Sequence, residues 1–222
     1  MTFRRARSEE QRQIRRQAIL DTASSMLSNM PVSQISLNEL SRRTGLAKSA
    51  MLRYFESREA VLLELLDAAF RSWLEEIVAE LSHITRPDSA QERADQLAAL
   101  LSRSLQQQAV LCDLITAQPG VLENNVSAET LLCFRRSSHS NVSQLTEAVR
   151  RYIPELGEDT RSVVLSVMMS SAALWMYAKP SASTIAASES EPELVDIYLN
   201  FDSDLEPMLA RIMAGALVKR SS

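Results

Sequence analysis

The segment Ser36–Glu59, SLNELSRRTGLAKSAMLRYFESRE, constrains the fold more than any other, because several helix start and stop signals fall within it. Ser36 and Glu39 form a capping box, which predicts that a helix begins at Ser36. Gly45 can adopt the positive φ that ends such a helix. Apolar residues resume helical spacing after this glycine, at Leu46, Met51 and Phe55. The segment therefore predicts two short helices joined by a tight turn.

The second of these helices carries an unusual polar face. Its other residues are cationic, small or hydroxyl-bearing: Lys48, Ser49, Ala50, Arg53 and Tyr54. A helix that lies close to a phosphate backbone and to base edges requires side chains of these kinds. We interpret residues 36–55 as a helix-turn-helix that reads duplex DNA, and we call this segment the reader. The alternative is a pair of small amphipathic helices in an ordinary bundle.

The run from Ile19 to Leu63 resembles the DNA-binding domain of the tetracycline-repressor (TetR) family of transcriptional regulators. The family signature is a glycine between two short helices, a small-Lys-small segment, an aromatic pair and then Ser-Lys/Arg-Glu. The residues that match it are Gly45, Lys48, Tyr54, Phe55, Ser57, Arg58 and Glu59. Three positions depart from the pattern: Leu52 replaces a phosphate-contacting Tyr, Ala50 replaces Thr, and Pro31 replaces Gly.

The resemblance implies a set of residues that contact DNA. Lys48 and Tyr54 match positions that commonly touch the backbone, while Ser49 and Ala50 lie where the helix comes nearest the bases. Arg53 could contact either a phosphate or a guanine. The full predicted DNA interface is Ser36, Arg43, Thr44, Leu46, Ala47, Lys48, Ser49, Ala50, Arg53, Tyr54 and Phe55.

Charge is distributed unevenly along the chain. The net charge of −4 over 222 residues argues against nucleic acid until the chain is divided. Residues 1–60 hold 11 Lys or Arg against 6 Asp or Glu, which leaves 13 against 22 for residues 61–222. A basic N-terminal part on an acidic remainder directs only one end of the protein to nucleic acid, since phosphate attraction follows the local field.

The composition and the apolar runs predict an all-α protein without a membrane span. The N-terminus has no apolar core of the kind found in signal peptides, so we expect a cytoplasmic protein. The longest apolar run, Val163–Ala178, has only 16 residues and is too short to span a bilayer comfortably. Cys112 and Cys133 sit in apolar stretches, which favours two buried thiols over a redox pair.

The predicted fold has an N-terminal three-helix helix-turn-helix domain, residues 1–57, joined to a helical effector-binding and dimerisation bundle, residues 58–222. Ser8 and Gln11 make a capping box for the first helix, whose apolar face comprises Ile14, Ala18, Ala23 and Leu27. Residues 1–7 form a basic arm, which either contacts DNA or is a solvated tail. A helix from Arg58 to about Ser82 connects the two domains and could act as a lever.

Breaks in the pattern divide the second domain. They are predicted at residues 85–90, at Pro119 with Gly120, and at 154–158, with Ser127 capping a long helix between the last two. The next helix, Thr160–Tyr177, is apolar nearly all round and must be covered on both sides. Residues 181–193 are predicted to be an exposed loop. A last helix begins at about Asp204 and tolerates Pro207 in its first turn.

The two final apolar helices predict a homodimer, in agreement with the four-helix dimer bundle that the family resemblance implies. One side of the helix over Thr160–Tyr177 can pack on its own domain, but the other side requires a partner subunit. The predicted interface residues are Val163, Val167, Met168, Ser170, Leu174, Leu209, Ile212, Met213 and Ala216.

The resemblance also implies a small-molecule pocket in the second domain. The candidate lining is apolar and rich in methionine, which favours a hydrophobic or aromatic effector: Trp73, Phe134, Ser138, Val142, Met168, Met169 and Trp175. The alternative is that these residues are plain core. Ser138 lies on the apolar stripe, where its hydroxyl could bind a ligand or return a hydrogen bond to its own helix.

The sequence predicts a ligand-responsive, DNA-binding transcriptional regulator, a homodimeric repressor that a small molecule releases from a palindromic operator. An activator, or a regulator that answers to a protein partner, is the first alternative, because the second domain does not decide between them. A helical enzyme or binding module with an incidental helix-turn-helix is a more distant one. We find no catalytic constellation, no cofactor motif and, with only His83 and His139, no zinc site.

Overall fold

The computed structural model describes residues 2–191 and 199–220, and these described residues are helical and contain no strand. Its α-helices are α1 Thr2–Leu27, α2 Leu37–Thr44, α3 Lys48–Met51, α4 Arg58–His83, α5 Ala90–Gln106, α6 Ala109–Ala117, α7 Ala128–Tyr152, α8 Thr160–Tyr177, α9 Ala182–Ser190 and α10 Phe201–Arg220. Short 3₁₀ segments cover Val32–Gln34 and Pro154–Asp159. The predicted all-α class, with an N-terminal helix-turn-helix and a helical C-terminal domain, is confirmed.

Packing divides the described residues into two compact units. Unit 1 comprises those of Met1–Phe70 and Asp113–Ser138, and unit 2 comprises those of Arg71–Cys112 and His139–Ser222. The chain passes from one unit to the other inside three helices, α4, α6 and α7. The predicted domain boundary between residues 57 and 58 stays a prediction.

In unit 1, α1 begins earlier than predicted. It starts at Thr2 and continues through Ser8, so Ser8 does not cap it, and the segment predicted as a basic arm is part of a helix from Thr2 onward. The reason is that the residues around Ser8 are mostly Arg, Glu and Gln, which favour helix as strongly as the capping box favours a start. Ala23 and Leu27 of the predicted apolar face are buried, together with Ile19 and Met26. Ala18 is exposed and Ile14 is 63% exposed, contrary to prediction.

The reader has the predicted turn. The Ser36 hydroxyl oxygen accepts the backbone N–H of Glu39 at 3.1 Å, and Gly45 ends α2 with φ +66°. The helix after the turn is shorter than the sequence suggested, because α3 ends at Met51. The chain continues in hydrogen-bonded turns, in which the Tyr54 N–H donates to the Met51 carbonyl at 2.8 Å. Leu40, Met51 and Phe55 are buried and hold the reader to its unit.

Ser57 caps α4 as predicted, and its hydroxyl oxygen accepts the backbone N–H of Ala60 at 3.1 Å. The helix runs to His83, and Ser89 caps α5 beyond the predicted break. Ser127 likewise caps α7, since its hydroxyl oxygen accepts the backbone N–H of Thr130 at 3.1 Å. These three helix starts are therefore determined by short local sequence.

Three other predicted boundaries are wrong. Pro119 and Gly120 do not break the helix at once, because a π-helical turn, Gln118–Leu122, follows α6. The predicted loop after Ser181 contains α9, whose N-cap is Ser181 and whose residues are largely exposed; positions 192 and 193 of that loop lie outside the described residues. The last helix begins at Phe201, which places Pro207 inside it. Asn200 caps this helix, and its side-chain oxygen accepts the Asp202 N–H at 2.9 Å.

The core of unit 2 is formed by α5, α8 and α10, with α10 packed against both other helices. Each helix contributes a stripe of buried side chains at helical spacing. These are Ala94, Leu97 and Leu101 of α5, Val163, Val167 and Leu174 of α8, and Leu205, Leu209 and Met213 of α10. Trp175 meets Phe201 edge-on, with ring centroids 4.7 Å apart. This packing uses one face of α8 and leaves the other face to solvent in the single chain.

Candidate DNA interface and effector region

The cationic residues of the reader are presented to solvent. Lys48 and Ser49, at the start of α3, are exposed, as is Arg53 in the turn that follows, while Ala50 is half-buried. Leu52 is 47% exposed. The surface formed by Lys48, Ser49, Ala50, Leu52 and Arg53 therefore combines positive charge with a small apolar patch, as contact with phosphates and base edges requires.

Helix α2 contributes an ion-pair cluster beside this surface. The Glu39 carboxylate accepts two N–H groups of Arg42, at 2.9 and 2.6 Å, and one of Arg43 at 2.8 Å. Hydrogen bonds from Arg42, and then from Arg43, lower the pKa of Glu39 to about 2. Both arginines are thus partly neutralised by a carboxylate of their own helix.

Arg16 ties α1 to the end of the reader and to α4. Its guanidinium donates to the Glu64 carboxylate, at 2.9 Å from Nε, and to the Tyr54 carbonyl at 2.6 Å. It also lies over the Phe55 ring, 4.1 Å from the ring centroid. Sequence reasoning did not single out Arg16, because no local motif links it to positions 38 and 48 residues away. Its role is to fix the orientation of the Tyr54–Phe55 segment.

The remaining predicted DNA contacts differ in their availability. Ala47 is exposed, and Leu46 and Tyr54 are half-buried. The Ser36 hydroxyl accepts the cap hydrogen bond, and the half-buried Thr44 donates its hydroxyl to the Leu40 carbonyl at 2.8 Å. Phe55 is only 3% exposed, so its ring is core and is not presented to DNA, contrary to the prediction. The aromatic pair is therefore divided between surface and core.

The predicted pocket residues belong to both units. Phe134 and Ser138 lie in unit 1, whereas Trp73, Val142, Met168, Met169 and Trp175 lie in unit 2. Four of them are buried, namely Trp73, Phe134, Val142 and Trp175, and Ser138 and Met168 are half-buried. Met169 is 72% exposed, so it does not line the interior of a single chain.

Trp73 and Trp175 have polar neighbours within unit 2. The Trp73 indole N–H donates to the Ser104 hydroxyl at 2.9 Å, and the Lys179 ammonium lies 3.8 Å from the centre of the Trp175 ring.

The prediction of two buried thiols holds for Cys112, but Cys133 is exposed on α7. Its side chain points outward because the buried stripe of this helix passes through Phe134.

The predicted dimer residues lie mostly inside the single chain. Five of them are buried there: Val163, Val167, Leu174, Leu209 and Met213. The other four, Met168, Ser170, Ile212 and Ala216, are half-buried. The buried ones pack within unit 2, because α8 and α10 turn these side chains toward each other and toward α5. The apolar residues that α8 exposes are Leu165, Met169, Met176 and Tyr177, at 37, 72, 55 and 66%.

Within residues 2–191 and 199–220, no helix is long and apolar enough to cross a membrane. The same residues contain no cluster of three or more His, Cys, Asp or Glu side chains placed to hold a metal ion.

The capped α2, the tight turn at Gly45 and the exposed cationic α3 define a helix-turn-helix protein of the DNA-binding class. Comparison with known families agrees with this class over most of the chain. Residues 19–65 match the family described as bacterial regulatory proteins, tetR family, and residues 67–220 match the tetracyclin repressor-like, C-terminal domain. The chain belongs to the TetR family of transcriptional regulators, as the reader motif predicted.

Individual relatives are similar to this chain either in one segment or in fold. The HTH-type transcriptional regulator EthR of Mycobacterium tuberculosis is 44% identical over 50 residues, which span 22% of this chain and only 23% of that protein. A TetR regulator from Rhodococcus sp. RHA1 has the same fold, with a TM-score of 0.56 at 14% identity over 95% of this chain and 98% of that one. The fatty acid degradation regulator FadR of Bacillus halodurans gives 0.54 at 14% identity, over 91% of this chain and 94% of that one.

Proposed function

We propose that the protein is a ligand-responsive, sequence-specific transcriptional regulator, and that it is a repressor released from its operator by a small molecule. The observation that carries the proposal is the reader surface, where exposed Lys48, Ser49 and Arg53 stand on a capped and packed helix-turn-helix. Ligand response and repression are typical of the family. The cytoplasm is the expected location, because that is where a bacterial operator lies.

The proposed contacts follow from the chemistry of each exposed group. Lys48 is a flexible cation suited to a phosphate, and the Tyr54 hydroxyl is suited to the same role. Ser49 and Ala50 are small enough for α3 to approach the base edges, and the Ala50 methyl suits a thymine methyl. Arg53 contacts either a phosphate or, with both nitrogens of its fork, a guanine.

The proposed assembly is a homodimer with two readers. A two-fold axis would place the readers in successive major grooves about 34 Å apart, so the operator would be a palindrome. The exposed apolar residues of α8, Leu165, Met169, Met176 and Tyr177, support a partner chain on that side, because a monomer in water would hide such a row.

The proposed effector site lies in the part of the chain beyond the reader, residues 58–222. Trp73, Val142 and Trp175, which all lie in unit 2, are the buried candidates for a hydrophobic lining. An effector there would release DNA only to the extent that it binds the released conformation more tightly. Residues 1–57 form the proposed DNA-binding domain.

The experiment that tests the proposal is selection from a pool of random duplexes with the purified full-length protein, followed by sequencing of the bound fraction. We expect enrichment of one palindromic sequence, and protection of the same sequence in footprints on genomic upstream fragments. If the bound duplexes share no common sequence, or if the selected duplexes bind no more tightly than the starting random pool, sequence-specific binding is refuted. Mass spectrometry of ligand that co-purifies with the protein would identify the effector class.

A further inference from the structure

The connection between the reader and α7 involves a carboxylate, Glu56, that directly follows the buried Phe55. Its Oε1 atom accepts the backbone N–H of Ser127 at 2.7 Å. Ser127 is the residue before α7, and Leu131 N–H donates to its carbonyl at 3.0 Å, as in the first turn of a helix. Glu56 therefore holds the N-terminus of a helix that lies 71 residues further along the chain.

The environment of Glu56 favours its charged form. The hydrogen bond from the Ser127 backbone, followed by those from the hydroxyls of Thr130 and Ser127, lowers the pKa of the Glu56 carboxyl. An anion at a helix N-terminus is further stabilised by the unpaired N–H groups and by the helix dipole. The hydroxyl oxygens of Ser127 and Thr130 lie 3.1 Å apart, so the carboxylate joins a small network instead of making a single contact.

Helix α7 begins in unit 1, where Glu56 contacts its N-terminus, and ends in unit 2. Residues 113–138 pack with the reader in unit 1, but α7 continues without interruption to Tyr152 in unit 2. Helix α4 makes the same passage between Phe70 and Arg71. The reader is thus connected to unit 2 by the chain itself through α4, and by a side-chain contact, at Glu56, through α7.

We propose that Glu56 is a positioning residue that couples the reader to α7, so that operator binding changes the stability of the first turn of α7. The inference rests on the proposed function, since it needs a duplex that the reader recognises. It deepens that function by naming a second route between the DNA and unit 2 besides α4. By linkage, if operator binding changes the affinity of a ligand that displaces α7, that ligand must change operator affinity by the same factor.

The test is hydrogen–deuterium exchange of the full-length protein with and without the selected duplex. In the wild type we expect operator binding to slow exchange in a peptide that covers the first turns of α7, together with protection of the reader. Glu56→Gln keeps the size of the side chain and removes its charge. We expect this variant to exchange about two- to fivefold faster at that turn without DNA, the range given by the loss of one charge at a helix N-terminus. In the Glu56→Gln variant, the duplex should no longer slow exchange in the first turns of α7.

The matched control is Glu129→Gln. Glu129 is exposed in the first turn of the same helix, so the substitution removes the same charge from the same helix end without touching the contact to Glu56. We expect the control to retain the response of α7 to the duplex. Thr130→Val, which removes one of the hydroxyls at Glu56, should weaken the response and guards against misfolding of the Glu56 variant.

Three outcomes would overturn the coupling. The first is protection of the reader by the duplex without any change at α7 in the wild type, which would leave the proposed function intact. The second is equal loss of the response in the Glu56 and Glu129 variants, which would mean that only the charge at the helix end matters. The third is that no duplex protects the reader, in which case the proposed function and the coupling fail together.

Discussion

Substitution of Lys48 by alanine tests the placement of α3 on DNA. Lys48 is exposed at the first position of α3, and it matches the cation of the family signature. If its ammonium neutralises one phosphate in each protomer, a dimer loses two phosphate contacts when Lys48 is replaced. The loss concerns backbone contacts, so operator and scrambled duplexes should both bind more weakly.

The expected magnitude follows from counterion release. Each phosphate contact contributes about 0.9 to the slope of log K against log salt concentration, so two contacts contribute about 1.8. Between 50 and 200 mM salt, the affinity of the variant should then fall about twelvefold less than that of the wild type. Fluorescence anisotropy titrations with labelled duplexes at four salt concentrations measure both slopes directly.

The control is Arg103→Ala, which removes the same single charge from an exposed position of α5 in unit 2. Its slope should equal that of the wild type. If Lys48→Ala leaves the slope unchanged, or if Arg103→Ala lowers it equally, the proposed position of α3 on the phosphate backbone is wrong. A reduced slope on the operator alone would instead mean that Lys48 reads sequence.

Ala50→Leu should weaken operator binding about five- to 160-fold for each lost base contact of about 1–3 kcal/mol, and should leave scrambled-duplex binding within twofold in the same titrations. Arg16→Ala should lower the free energy of unfolding in urea by about 2–3 kcal/mol, because charge-assisted hydrogen bonds and a cation–π contact are lost; Arg16→Lys, without the planar fork, should recover less than half. Met169→Glu should convert the proposed dimer into folded monomers in sedimentation, since this side chain is exposed in the single chain. The stabilisation from Glu39, whose pKa is lowered to about 2, should be complete above its ordinary value of 4.5 and should be lost progressively as the pH falls from 4.5 through about 2, which acid titration of helicity measures.

Local signals in the sequence predicted the helix starts at Ser36, Ser57 and Ser127 correctly. In each case one hydroxyl accepts the backbone N–H three residues ahead, so a few residues contain the whole interaction. The same kind of motif failed at Ser8. A cap competes with continuation of the helix, and the outcome depends on the propensity of the flanking residues, which the motif does not include.

The last helix shows a different limit. The sequence predicts a start at about Asp204, and Pro207 is tolerable there because the N–H groups of a first helical turn are unpaired. The structure instead starts the helix at Phe201, where Asn200 provides a cap and the Phe201 ring packs edge-on against Trp175. A local cap and a tertiary contact therefore act together at this boundary, and the proline is accommodated inside the helix.

The faces of α8 could not be assigned from the sequence. The helix is apolar nearly all round, so its pattern predicts burial on two sides without indicating which side meets α5 and α10 of the same chain. The structure assigns Val163, Val167 and Leu174 to the chain's own core. Residues of one buried stripe and residues of an intersubunit face have the same composition, and only the positions of neighbouring helices separate them.

We expect the electrostatic part of DNA binding to rest on fewer cations than the sequence of the reader contains. A phosphate that recruits Arg43 must compete with the Glu39 carboxylate, which already accepts its Nε–H at 2.8 Å. The gain on DNA is then only the difference between two charge-assisted hydrogen bonds, and Arg42 is held in the same way. Lys48 and Arg53 are exposed and do not have to leave the Glu39 carboxylate in order to bind a phosphate. The salt dependence should therefore be governed by Lys48 and Arg53, and the ion-pair cluster of α2 should act mainly to keep that helix rigid.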